Sequence, residues 1–130
     1  VKTYLDTSAL IKLVVAEPES PALRTYLGTI PDDTLFTAAL TRTELIRALR
    51  RVDPAATTRS RHLLGGLATV NLTTSLLDAA ALLEPPLLRS LDAIHLAAAQ
   101  RAGADLRAVI TYDTRMADAA GLLSIPVIAP

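Results

Sequence analysis

At 130 residues the chain has the length of one domain that buries roughly two-thirds of its unfolded surface; with 51% hydrophobic but only 3% aromatic residues, Leu, Ala, Val and Ile must fill the core. Mean hydropathy is +0.37, yet no apolar run approaches the roughly 18 residues of a membrane span, and no basic stretch followed by an apolar one opens the chain, so the expectation is no membrane and a cytoplasmic location. The absence of cysteine excludes disulfides and thiolate metal sites, and a net charge of zero gives the whole molecule no long-range pull on a polyanion.

The chain opens on Lys2–Leu5, a short run containing Thr3, Tyr4 and Leu5 that suits a pleated, half-buried strand. Asp6, Thr7 and Ser8 follow as helix-capping residues ahead of Ala9, Leu10, Ile11, Leu13, Val14 and Val15. Glu17 and Pro18 interrupt that helix, and Glu19 or Ser20 starts a second one reaching Leu27 and Gly28. After the turn signal at Pro31–Asp33, a strand is predicted over Thr34–Ala39, then a helix capped by Thr41 or Thr43 and running to about Val52. Asp53 and Pro54 break it, and another helix ends near Gly65 and Gly66. Ala68–Thr73 reads as a third strand and Ser75–Leu83 as an amphipathic helix stopped by Pro85 and Pro86. Leu91–Ala102 is helical with Gly103 as its stop, Ala108–Tyr112 is a fourth strand, Thr114–Ala120 is a short helix closed by Gly121, and Pro126–Ala129 can add an edge strand. Strands of four to six residues alternating with helices predict α/β architecture: a three-layer α/β/α sandwich with a mainly parallel sheet of 4–5 strands, as a single domain over residues 1–130.

That topology gathers acids. Asp6 and Asp113 each follow a strand directly, so parallel strands place both at the carboxyl edge, where open α/β sheets bind ligands. Glu44 lies in the first turn of the helix that follows the second strand, and Asp92 in the first turn of the helix leading into the fourth; both helices begin at the same edge. Ala93, Ile94, Leu96, Ala97, Ala98 and Ala99 make the Asp92 helix apolar nearly all round, the mark of a buried helix, so its carboxylate must be satisfied or neutralised. Helix capping or dipole stabilisation is the plainer explanation for Asp6 and Asp92, and a surface ion pair with Arg47 or Arg51 for Glu44. His95 reads as a packing or hydrogen-bonding residue, not a metal ligand. Asp118 reads as exposed, and Ser8 and Thr111 could offer hydroxyls to the crevice. Carboxylates this close cannot all stay ionised unaided; a hard divalent cation resolves the repulsion, and oxygen-only donors select Mg²⁺ or Mn²⁺, ions that act on phosphate esters.

The bases are lopsided, eleven Arg against two Lys. Arg47, Arg50, Arg51, Arg59 and Arg61 share a segment whose sole acid is Asp53. A solvated helix face explains most of them, and a phosphate contact for at least one is the functional alternative.

The pieces Leu5–Leu10, Thr43–Glu44, Arg89–Ala97, Thr111–Asp113 and Arg115–Asp118, in this order and spanning nearly the whole chain, resemble the PIN-domain ribonucleases of the VapC toxin type. The resemblance implies a Mg²⁺- or Mn²⁺-dependent endonuclease acting on RNA, with Asp6 and Asp92 as direct metal ligands and Glu44 and Asp113 completing the acidic cluster through water or a second ion. It also implies a homodimer and a complex with a VapB-type antitoxin whose Arg-bearing tail blocks the site. Two alternatives stand beside it. A phosphatase using Asp6 as nucleophile would need a second Asp where Ser8 stands and a Lys late in the chain, whereas the lysines are Lys2 and Lys12. A non-catalytic scaffold domain would keep the acids for stability alone.

Overall fold

The computed structural model describes all of residues 1–130. Five strands, β1 (Lys2–Leu5), β2 (Thr34–Ala38), β3 (Ala68–Val70), β4 (Leu106–Ile110) and β5 (Val127–Ile128), form one sheet in the order β3-β2-β1-β4-β5. Every pairing is parallel, with Tyr4 opposite Phe36 on one side and Val109 on the other. Helices α1 (Thr7–Val14), α2 (Ser20–Gly28), α3 (Leu40–Leu49), α4 (Ala56–Gly65), α5 (Thr74–Ala81), α6 (Ser90–Gln100) and α7 (Thr114–Leu122) make the crossovers. None is long and apolar enough to cross a membrane.

Alternation along each strand builds two cores. Tyr4, Phe36, Ala38 and Val109 face α5, α6 and α7, against Leu76, Leu96, Met116 and Ala120. Their neighbours Leu5 and Ile110 face the other way, onto Leu10, Leu23, Leu45, Leu49 and Leu64 of α1 to α4. A sheet covered on both faces is why its strands read as short apolar runs instead of alternating ones. In α6, Ala93, Leu96, Ala97, Ala98 and Ala99 are all buried; small side chains let this helix lie close against the sheet. At the amino edge, Asp33 accepts from Arg107 Nε and a terminal Arg107 nitrogen at 2.7 and 2.9 Å and from the Thr3 hydroxyl at 2.7 Å, tying the foot of β2 to β1 and β4.

Several boundaries differ from the sequence reading for local reasons. Strand β3 stops at Val70, because Thr73 leaves the sheet and its hydroxyl accepts from Leu76 N–H to cap α5. Helix α3 begins at Leu40 with no side-chain cap, ahead of the expected threonine cap, so Glu44 falls in its second turn and not its first; the Thr41 hydroxyl is instead buried against that of Thr37, 2.7 Å away. Gly121 lies inside the last turn of α7, and the chain turns at Ser124, which adopts φ 58°.

Candidate metal centre at the carboxyl edge

Asp6 ends β1 and caps α1 in one step. Its Oδ1 accepts from Ala9 N–H at 3.0 Å and from the Ser8 hydroxyl at 2.6 Å, and its Oδ2 from the Thr111 hydroxyl at 2.5 Å. The residue is 2% exposed. Burial pushes its carboxyl above the usual range, against those donors, which pull it down. With donors on both oxygens it is a fixed carboxylate, poorly suited to attack as a nucleophile. Oδ2 retains a lone pair that no protein donor fills.

Thr111 joins Asp6 to Asp113, since its hydroxyl oxygen also accepts from Asp113 N–H at 3.1 Å. Asp113 caps α7 through Oδ1, which accepts from Arg115 N–H at 2.9 Å and Met116 N–H at 3.4 Å. Ser8 reaches the same loop, accepting from Tyr112 N–H at 2.9 Å. Capping is thus a real role of Asp6 and Asp113, and each keeps an oxygen with capacity to spare.

Asp92 sits in the first turn of α6, partly buried, with no hydrogen-bond partner of its own. Burial pushes its carboxyl up, and the negative charges of Asp113 and Asp6 push it further, opposed by Arg89. Those shared fields place Asp92, Asp113 and Asp6 in one electrostatic neighbourhood.

Glu44 stands apart chemically. Its Oε1 accepts from the Thr7 hydroxyl at 2.7 Å and lies 2.6 Å from His95 Nε2. Burial alone would raise its carboxyl, but the hydrogen bonds from His95 and the Thr7 hydroxyl outweigh that and hold it below the usual range. The arginine ion pair that stood as an alternative for Glu44 is not formed; its partner is the buried His95 from a distant helix. His95 packs and hydrogen-bonds, as read from the sequence. Its Nδ1 lies 2.6 Å from the Tyr4 hydroxyl. Tyr4 and Thr7 were missed at the sequence level. The usable signals were a tyrosine on a strand too apolar to leave its hydroxyl in water and a Thr beside the candidate acid.

The acids line an open edge and none of the surface concavities. No three acids or histidines converge closely enough to hold one ion as the side chains stand. The donors nevertheless fit a hard cation. They are oxygen only, Asp92 has both oxygens uncommitted, and Asp6, Asp113 and Glu44 each have capacity at one. Asp118 is exposed. Of the arginine group, Arg59 is committed to Asp53 at 3.1 Å and to the Val14 carbonyl at 3.3 Å. Arg47, Arg50 and Arg51 are exposed and line a concavity of about 450 Å³ at the end of α3.

Residues 3–122 match the family model of the PIN domain. The chain belongs to the PIN-domain family. This PIN domain is 49% identical over 127 residues to "Ribonuclease VapC46" of Mycobacterium tuberculosis, covering 98% of this chain and 96% of that one. It is 45% identical over 129 residues to "Ribonuclease VapC35" of the same organism, again covering 98% and 96%. Among solved structures it resembles a chain of a "Toxin-antitoxin complex from Klebsiella pneumoniae", with TM-score 0.75 and 25% identity over 99% of this chain and 98% of that one.

Proposed function

We propose that this PIN domain is the toxin of a toxin–antitoxin pair and works as a metal-dependent endoribonuclease. Asp6, Glu44, Asp92 and Asp113 form its catalytic and metal-binding set, and Mg²⁺ or Mn²⁺ is the working ion. The observation that carries the reading is Asp92, half-buried without a donor and repelled by two other carboxylates. A buried charge in that position is costly unless something positive meets it. Relatives named as ribonucleases at 45–49% identity over nearly the whole chain support the same chemistry.

When bound, Mg²⁺ or Mn²⁺ supplies an acidified water, charge for the phosphorane oxygens and help for the leaving oxygen. Asp6 and Asp92 would hold it directly. Asp6 is kept in one rotamer by Ser8, Thr111 and Ala9, so its free lone pair has a fixed direction. Glu44 stays ionised through His95 and Thr7 and can take a proton from the attacking water at Oε2. Asp113 completes the set from the start of α7.

The partners on this reading are an RNA strand, a VapB-type antitoxin and a second copy of the chain, all met in the cytoplasm, with residues 1–130 acting as one domain. Similarity to the Klebsiella complex supports the antitoxin. Exposed Leu77, Leu82, Leu87 and Leu91 supply apolar surface for such contacts.

Purified protein incubated with single-stranded and structured RNA tests the proposal. Cleavage should occur with Mg²⁺ or Mn²⁺, stop with chelator, and be lost in Asp6→Ala. Glu44→Ala separates the nuclease from a scaffold, which would keep partner binding and have no cleavage to lose. A wild type that cuts neither RNA with either metal contradicts the nuclease reading.

A further inference from the structure

A buried chain of hydrogen bonds runs from the sheet to Glu44. Ala38 N–H donates to the Tyr4 hydroxyl oxygen at 3.2 Å, that oxygen lies 2.6 Å from His95 Nδ1, and His95 Nε2 lies 2.6 Å from Glu44 Oε1. Tyr4 is fully buried and His95 is 2% exposed. Its members come from β1, β2, α3 and α6, so the chain exists only when the sheet and two crossovers are assembled.

The direction of the chain follows from donor counting. Of the two groups on the Tyr4 hydroxyl, Ala38 N–H can only donate, so Nδ1 is the acceptor available to the buried phenol proton. A ring that accepts at Nδ1 carries its proton on Nε2, and that N–H donates to the Glu44 carboxylate. Oε1 then holds two donors, His95 and Thr7, and is filled. Only Oε2 remains for anything that binds at the edge.

We propose that Tyr4 and His95 are positioning residues for Glu44: the Tyr4–His95 chain fixes one carboxylate oxygen as an acceptor and presents the other to the metal site. This rests on the ribonuclease reading of the acids. Edge-to-face contacts of the Tyr4 ring with Phe36 and His95, at centroid distances of 5.2 and 6.0 Å, keep the hydroxyl from swinging away. Replacing Tyr4 by Phe keeps those contacts and removes the hydroxyl, and with it the link to His95 and the acceptor of Ala38 N–H. The imidazole then loses its anchor, and Glu44 is free to take other rotamers.

Two measurements test it. Ring ¹⁵N–¹H correlations of metal-free protein should show His95 protonated on Nε2; a neutral ring protonated on Nδ1 overturns the proposed direction, whatever the cleavage assays give. Mn²⁺ affinity is then compared at a temperature where circular dichroism shows every variant folded. Tyr4→Phe should weaken Mn²⁺ binding about 10-fold or more, the usual size for a residue supporting a ligand. In a Glu44→Ala background the same change should do less than about twofold, because its effect passes through Glu44. Equal losses in both backgrounds, or no loss in either, overturn the proposal. If Tyr4→Phe fails to fold, His95→Gln, which keeps an N–H donor but no link to Tyr4, takes its place in the same cycle. A wild type that cuts no RNA while holding the Nε2 proton and the Mn²⁺ coupling sinks the ribonuclease reading and leaves the positioning intact.

Discussion

Thr111 and Asp6, 105 residues apart in the chain, meet in a 2.5 Å hydrogen bond at the carboxyl edge of the sheet. The same hydroxyl oxygen receives Asp113 N–H, so one small side chain sets both the rotamer of one acid and the backbone of another. Thr111→Val keeps the shape and removes both bonds. We expect a loss of about 1–3 kcal/mol in denaturant unfolding, the cost of stranding buried polar groups. RNA cleavage should fall with it, and Thr111→Ser should recover most of both. A Val variant as stable and active as wild type would show that Asp6 is held without it.

Asp92 is destabilised by its neighbours. Asp92→Asn should therefore raise the thermal midpoint of chelator-treated protein by a few degrees, since it removes repulsion from Asp113 and Asp6 and a burial cost. Wild type should gain stability when Mn²⁺ is added, and the variant should gain less, because an ion that binds only the folded state stabilises it by mass action. Differential scanning calorimetry reads both. An Asn variant less stable in chelator would mean that helix-dipole stabilisation of Asp92 outweighs the repulsion.

At the opposite edge, the Arg107 guanidinium holds the Asp33 carboxyl down from its ordinary 3.8 to about 2, against burial and with help from the Thr3 hydroxyl. A carboxyl whose folded value lies below its unfolded one stabilises the fold above the unfolded value and loses that contribution as pH falls through the folded one. The contribution should be complete at neutral pH and disappear between 3.8 and about 2. Arg107 is exposed, so solvent screens the pair and keeps its contribution small. Arg107→Ala should thus cost a small amount of stability at pH 7 and only a minor fraction of it near pH 2 in urea unfolding series. A gap undiminished at pH 2 would assign the loss to packing of the arginine stem.

Arg47, Arg50 and Arg51 form no ion pair and share one concavity. Arg47 follows Glu44 by one helical turn, so these bases continue along α3 from the acidic edge. If they hold RNA phosphates, replacing all three with Gln in an Asp6→Asn background should flatten the salt dependence of single-stranded RNA binding by about 0.7 for each phosphate no longer neutralised. An unchanged slope would return them to the solvated surface.

How much of this could be read without coordinates depends on the range of the forces involved. The sheet was legible because Lys2–Leu5, Thr34–Ala39 and Ala108–Tyr112 read as short strand-like runs punctuated by turns and caps, and parallel crossovers then dictate which ends meet; the fourth strand itself lies two residues earlier, at Leu106–Ile110. Asp6 and Asp113 were placed by that topology alone. Glu44 was ambiguous because its partner, His95, is separated from it by 51 residues, and helix periodicity carries no information about contacts at that distance. Tyr4 was invisible for the same reason: a strand tyrosine declares burial, but not which imidazole its hydroxyl meets. Local chemistry misled at β3, where Asn71–Thr73 has strand-like composition but Thr73 serves α5 as a cap.

The central claim is that the acids of the carboxyl edge act together on one hard cation. Anomalous diffraction from crystals of the wild type saturated with Mn²⁺ tests it most directly. The claim predicts a manganese peak bonded to Asp6 and Asp92, with Asp113 and Glu44 reaching it directly or through water. Manganese bound elsewhere, or a bare acidic edge at saturating metal, would contradict it.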